Sequence, residues 1–204
     1  PKCADGQGYT LELSSPTANL NDPASWFCGC LAGSPGLPYT PCNDPIIFSE
    51  INYNSDSTLD SDDWIEIRNV SNSPIDIGGW SFRGDTTTQT YTIPAPRILA
   101  PHTNWVLYQT TAKFQQIHPS VTDANGPFGF NISGNGQWIA LYNANGIIKQ
   151  SVRYDDIAPW PLDPDGGGYT LEIVDSSAIF NNGNNWQIGC LGGSPAAYLV
   201  LPCV

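Results

Sequence analysis

Basic residues are scarce in this chain, and their scarcity is the first constraint on function. Lysine and arginine total 7 against 19 acidic residues, a formal net charge of −12 over 204 residues. The seven (Lys2, Arg68, Arg83, Arg97, Lys113, Lys149 and Arg153) are scattered. Nucleic-acid binding needs clustered cations to displace counterions, and attraction to an anionic membrane surface needs the same. Neither partner is expected. Methionine is absent, and no apolar run approaches the length of a membrane span, so membrane insertion is not expected either. With no signal-peptide pattern, the sequence reads as a mature form or an excised piece. The two histidines, His102 and His118, each sit beside a proline in loop-like contexts. Long helices are disfavoured too, because 20 glycines and 18 prolines punctuate the chain and suit short strands joined by turns. Hydrophobic content is 40%, enough for a globular core.

What the chain does have is repetition. Asp5-Gly6-Gln7-Gly8-Tyr9-Thr10-Leu11-Glu12-Leu13 returns 160 residues later as Asp165-Gly166-Gly167-Gly168-Tyr169-Thr170-Leu171-Glu172-Ile173. Trp26 and Trp186, Cys30 and Cys190, Ser34 and Ser194, and Pro35 and Pro195 keep the offset, and Cys42 and Cys203 follow one residue out of step. Fixed-period self-similarity marks a repeat array. The expected organisation is therefore the C-terminal part of one unit over 1–42, followed by a complete unit over 43–204. A complete unit can bury its own core; residues 1–42 cannot, unless stapled or docked.

Six cysteines, an even number, fit a disulfide-bonded protein of an oxidising compartment. The repeat pairs Cys30 with Cys42 and Cys190 with Cys203, leaving Cys3 for Cys28. Zinc is the competing reading. Cys28-Gly29-Cys30 has one intervening residue where structural zinc sites have two or more, and no histidine lies nearby.

Strand-like runs recur at 46–54, 64–70, 75–83, 89–93, 105–109, 128–133, 137–143, 147–154 and 169–174, the spacing of an all-β sandwich. Trp64-Ile65-Glu66-Ile67-Arg68 alternates with period two, as a half-buried strand should. Asn145-Gly146 signals a hairpin turn with positive φ at both central residues. The one helix candidate, 112–117, ends before Pro119.

An ordered series of motifs then carries a resemblance. Ile47-Phe48-Ser49-Glu50-Ile51-Asn52-Tyr53-Asn54, Asp63-Trp64-Ile65-Glu66-Ile67-Arg68-Asn69, and Ile75-Asp76-Ile77-Gly78-Gly79-Trp80-Ser81-Phe82 come first. Ile98-Leu99-Ala100-Pro101, Tyr154-Asp155-Asp156, Gly168-Tyr169-Thr170-Leu171-Glu172 and Gly193-Ser194-Pro195 follow. Over about 46–195 the chain resembles the bacterial branch of the lamin-tail domain, and 1–35 resembles the closing third of another copy. The resemblance implies an immunoglobulin-like β-sandwich that docks rather than catalyses, and the cysteine count makes it a disulfide-stabilised one, a departure from lamins. It also implies a place in secreted or surface proteins, in tandem copies or beside a separate catalytic domain.

Candidate sites follow from residue types. Clustered carboxylates can supply the hard oxygens calcium needs, so Asp56, Asp60, Asp62 and Asp63, with Glu50, form a calcium candidate. A solvated acidic loop is the bland alternative. Glu50 and Glu66 fall on neighbouring strands and could act as an acid–base pair, but both belong to the scaffold pattern and Arg68 or Arg83 could neutralise either. Gly192-Gly193-Ser194-Pro195-Ala196 lacks the second glycine of a nucleophile elbow, so Ser194 and its counterpart Ser34 read as turn residues. Trp26, Trp80 and Trp186 are assigned to packing, while the Trp138 and Tyr142 side of one strand could meet carbohydrate or a neighbouring subunit. Asn69 and Asn131 open N-glycosylation patterns. Tyr9, Leu11, Leu13 and Trp26 lie in the partial unit and are the expected contacts to another copy, head to tail. The expectation is a non-enzymatic, extracellular or cell-surface structural or adhesive repeat module. The alternative is an accessory module of a secreted hydrolase, binding carbohydrate or depending on calcium.

Overall fold

The computed structural model describes residues 4, 8–37, 45–177, 179–198 and 203. Strands β1 (Tyr9–Leu13) and β2 (Trp26–Leu31) form a hairpin of their own. The sandwich begins with β3 (Ile46–Asn52) and β4 (Trp64–Asn69). It continues through β5 (Ile75–Asp76), β6 (Ser81–Arg83), β7 (Thr90–Thr92), β8 (Ile98–Leu99) and β9 (Asn104–Tyr108). Helix α1 (Thr111–Ile117) and strands β10 (Ala124–Asn125), β11 (Gln137–Tyr142), β12 (Ile148–Tyr154), β13 (Leu171–Ile173) and β14 (Trp186–Ile188) complete it. One sheet runs β10-β9-β4-β3-β13-β14 and the other β12-β11-β6-β7, with β5 and β8 as a small ribbon. All pairs are antiparallel except β10 with β9.

Alternation along the strands builds the core between the sheets. Ile65, Ile67, Trp105, Leu107, Ile139, Leu141 and Val152 point inward and are fully buried. Phe48 of β3 meets Phe82 of β6 edge-on at 6.3 Å, and Tyr53 packs on Tyr154 at 4.8 Å. A bulge breaks β3, where Phe48 opposes Ile67 and Glu50 opposes Glu66, leaving Ser49 as the extra residue. Phe48 and Ile51 are three apart yet both face the core, so one residue must fall out of register between them. The bulge also turns Glu50 onto the outer face. There Trp64, Val106, Tyr108 and Phe114 make a second, smaller cluster beneath α1.

Three expected elements differ. The 75–83 run is two strands, because Asp76 accepts from Gly78 N at 2.8 Å and Gly79 takes φ +77°, folding the chain back at Trp80. The 128–133 run is not a strand, although Phe128 and Ile132 are buried at the expected period. After one main-chain bond, Phe128 N to Tyr108 O (3.0 Å), the later amides turn to side chains instead of a ladder, Ile132 N to Asp63 Oδ2 (2.8 Å) and Ser133 N to Gln137 Oε1 (2.8 Å). At Asn145-Gly146 only Gly146 has positive φ, +75°. Cys190 and Cys203 are bonded, with Sγ–Sγ at 2.06 Å. Cys28 and Cys30 are also disulfide-bonded; their expected partners, Cys3 and Cys42, lie outside the described residues.

Candidate functional site

Three glutamates form a row across three strands. Glu66 on β4 opposes Glu50 on β3, and Glu50 opposes Glu172 on β13. All three are buried on the outer face of the six-stranded sheet. The cover is the turn at 193–196. Ser194 N donates to Glu50 Oε1 (2.9 Å), Ser194 Oγ to Glu172 Oε1 (2.7 Å), and Ala196 N to Glu66 Oε2 (2.7 Å). Thr170 Oγ1 donates to Glu50 (2.6 Å) and Ser49 Oγ to Glu66 (2.6 Å). Burial pushes all three carboxyls above their ordinary range, Glu66 to about 8. For Glu66 and Glu172 the neighbouring Glu50 charge adds to that rise, while hydrogen bonds to the charged form hold Glu50 down in part. Neither expected arginine makes a direct ion pair with the row: Arg68 stacks on Tyr198 at 3.9 Å and eases the rise of Glu66 only through its charge, and Arg83 stacks on Tyr142 at 4.2 Å.

Glu50 and Glu66 are thus neighbours, as their strands suggest. Glu172 and Thr170, the third strand's contribution, were missed because the sequence holds no sign of which strand β13 joins. Chemically the row is closed. Its hydroxyl and amide donors are spent on carboxylates, and Ser194 stands with glutamates and no histidine, as a turn residue should.

The acidic loop is a different place. Asp60 and Asp62 both hold the Lys113 ammonium, at 2.7 and 2.6 Å. Asp63 is buried and accepts from Ile132 N; burial lifts its carboxyl to about 7. Asp56 binds Thr58 N at 2.7 Å. Glu50, the fifth proposed calcium ligand, belongs to the glutamate row. The five do not converge, and among the described residues no cluster of His, Cys, Asp and Glu has the arrangement of a metal site. A polar cleft of about 430 Å³ opens here, with Asp60, Asp62, Lys113 and Asn131 in its walls.

Asn69 cannot be glycosylated in the folded chain. It is fully buried, and its Nδ2 donates to the carbonyls of Ser73, Leu99 and Ala100. Asn131 is exposed, its Oδ1 accepting from Gln109. Trp186 is a core residue, whereas Trp26 and Trp80 are half-buried. Trp138 and Tyr142 pack edge to face at 6.3 Å on the outer side of β11, half-buried, with Ala140 fully buried between them.

Of the partial-unit residues, Tyr9 docks within the same chain: its hydroxyl reaches the Ser151 carbonyl (3.2 Å) and Gln150 Oε1 (3.4 Å) on β12. Leu13 pairs with Trp26 across the hairpin, and Leu11 is exposed. The hairpin reproduces β13–β14 bond for bond. Leu11, Glu12 and Leu13 of β1 fall opposite Cys28, Phe27 and Trp26, as Leu171, Glu172 and Ile173 fall opposite Ile188, Gln187 and Trp186. Trp26 Nε1 donates to Leu20 O and Trp186 Nε1 to Phe180 O, six residues back in both cases. Each second strand is entered by a short 3-10 turn, capped by Asp22 in one and Asn182 in the other.

No curated protein matches this chain. The Lamin Tail Domain family matches residues 40–156, more than half the chain. The match ends before β13, although β13 and β14 continue the same sheet. The two-sheet, immunoglobulin-like sandwich and the family match together establish that the chain belongs to the Lamin Tail Domain family.

Proposed function

We propose that this protein is a non-catalytic structural or adhesive module of an extracellular or cell-surface repeat protein, with residues 8–37 the closing hairpin of one lamin-tail unit and the following sandwich the next. The observation that carries this reading is the bond-for-bond likeness of β1–β2 to β13–β14. A hairpin with the same register, turn and tryptophan anchor in both places suits serial units, each contacting its neighbour. The groups that could suggest chemistry support it too, since Ser194 serves Glu50 and Glu172 while Ser49 and Ala196 serve Glu66, all beneath a turn. The disulfides suit an oxidising compartment.

Electron microscopy of the native material tests the reading. The expected result is beaded or filamentous particles whose length grows with the number of units. Isolated compact particles of constant size would overturn it.

A further inference from the structure

The hairpin β1–β2 has the hydrogen bonds of β13–β14 but not its burial. Leu171 is fully buried and its counterpart Leu11 is 43% exposed; Phe180 is 7% exposed and its counterpart Leu20 is 63%. The covered surfaces in the complete unit are those that meet β3 and the core. The polar groups differ in the same sense. Thr170 Oγ1 donates to Glu50, whereas Thr10 Oγ1 turns back on Glu12 (3.2 Å). Ser194 N and Oγ and Ala196 N serve Glu50 and Glu66. The matching Ser34 N, Ser34 Oγ and Gly36 N have no partner among the described residues. Beside this donor set runs an open strand edge. Thr170 O is taken by Gly189 N, so the next residue, Leu171, turns its own N–H and C=O toward β3, and Leu11 turns the same groups outward.

We propose that the β1 edge is a docking site for the opening strand of a preceding lamin-tail unit, with Thr10, Ser34 and Gly36 receiving the carboxylates that the strand and its hairpin partner carry at the positions of Glu50 and Glu66. The inference rests on the reading of residues 8–37 as the close of another unit. It adds the partner, the strand register and the chemistry of recognition. Main-chain bonds along the edge supply affinity. Hydroxyl and amide donors aimed at a carboxylate supply selectivity, because bonds to a charged acceptor are stronger than neutral ones.

The probe is a synthetic peptide of residues 45–53 of this sequence, which carries the β3 pattern, titrated against the intact chain by fluorescence anisotropy. Saturable binding is expected. Leu11→Pro removes the outward N–H without touching β2 pairing and should abolish it. Ser34→Ala should weaken it about tenfold and leave a Glu50→Gln peptide, already weaker, unaffected. Leu11 is exposed and Ser34 half-buried, both outside the sandwich core, so an unchanged sandwich melting temperature verifies that the two chain variants fold. No binding, equal binding to Leu11→Pro, or an intact chain that dimerises through β1 and excludes the peptide would each overturn the proposal. Particle shape in the micrographs is independent of this titration, so the repeat-module reading stands or falls separately.

Discussion

A glutamate flanked by another glutamate and sealed from water gains stability by keeping its proton. In the row of Glu66, Glu50 and Glu172 burial raises every carboxyl above its unfolded value, Glu66 to about 8. Between the ordinary carboxylate range and these raised values the folded state binds protons that the unfolded chain has released. Stability is therefore complete below the unfolded value and falls as pH rises through about 8. His118 runs the other way: burial holds it down at about 4, so its contribution is present above its ordinary value and is lost toward acid. The interval from pH 7 to 9 thus reads the carboxyls without the histidine. Glu172→Gln keeps the acceptor for Ser194 and supplies an N–H toward Glu50. It should flatten stability against pH and gain on the order of 2 kcal/mol at pH 9, measured by urea denaturation at pH 7, 8 and 9. A variant that is weaker at pH 9 and as steep as the parent would contradict this account. The acidic loop gives the opposite kind of expectation. Lys113 already neutralises Asp60 and Asp62, so millimolar calcium should move the melting temperature by less than about 1 °C relative to a chelator control.

Among the elements, the turn over the glutamate row is the one that tolerates least. Gly193 has φ +83°, and a Cβ there would lie 2.5 Å from Trp64 Cζ2, whose ring is fully buried. Gly33, its counterpart, has φ +68° and would meet the Thr10 methyl, on a half-buried side chain that can rotate away. Gly193→Ala should cost about 2–3 kcal/mol, backbone strain and a clash together, and shift the denaturation midpoint of the sandwich. Gly33→Ala should cost about 1 kcal/mol and leave that midpoint in place. Much of this architecture was legible from local pattern. Trp64-Ile65-Glu66-Ile67-Arg68 alternates as it pairs, and the 160-residue echo of Tyr9-Thr10-Leu11-Glu12 foretold two hairpins. What stayed hidden depends on pairing between distant segments. The Ser49 bulge, which sets Glu50 opposite Glu66, is visible only once both Phe48 and Ile51 are known to face inward. The 128–133 segment has a strand's period but takes its bonds from Asp63 and Gln137, choices that no window of six residues contains. Asn69 reads as a glycosylation acceptor until its amide is seen holding three carbonyls.

At the scale of the molecule, two bodies of unequal strength share one chain. The sandwich has a continuous core of fully buried side chains, whereas Gly29 is the one buried residue in the strands of the β1–β2 hairpin. Apolar burial is the main source of stability, so the hairpin must draw its order from the disulfides at Cys28 and Cys30 and from contact with β12. Tyr9 is the polar anchor of that contact, reaching Gln150 and the Ser151 carbonyl. Regions with little buried surface open locally at free energies below the global value. Amides of β1 and β2 should therefore exchange with deuterium faster than those of β3 and β4. Tyr9→Phe removes the hydroxyl but keeps the ring. A hydrogen bond of this kind contributes about 1 kcal/mol, so exchange in β1 and β2 should rise about fivefold while β3 and β4 keep the parent's protection. If Tyr9→Phe accelerated exchange equally in both, hairpin and sandwich would form one cooperative unit. If it changed neither, the hairpin would be held by its disulfides alone.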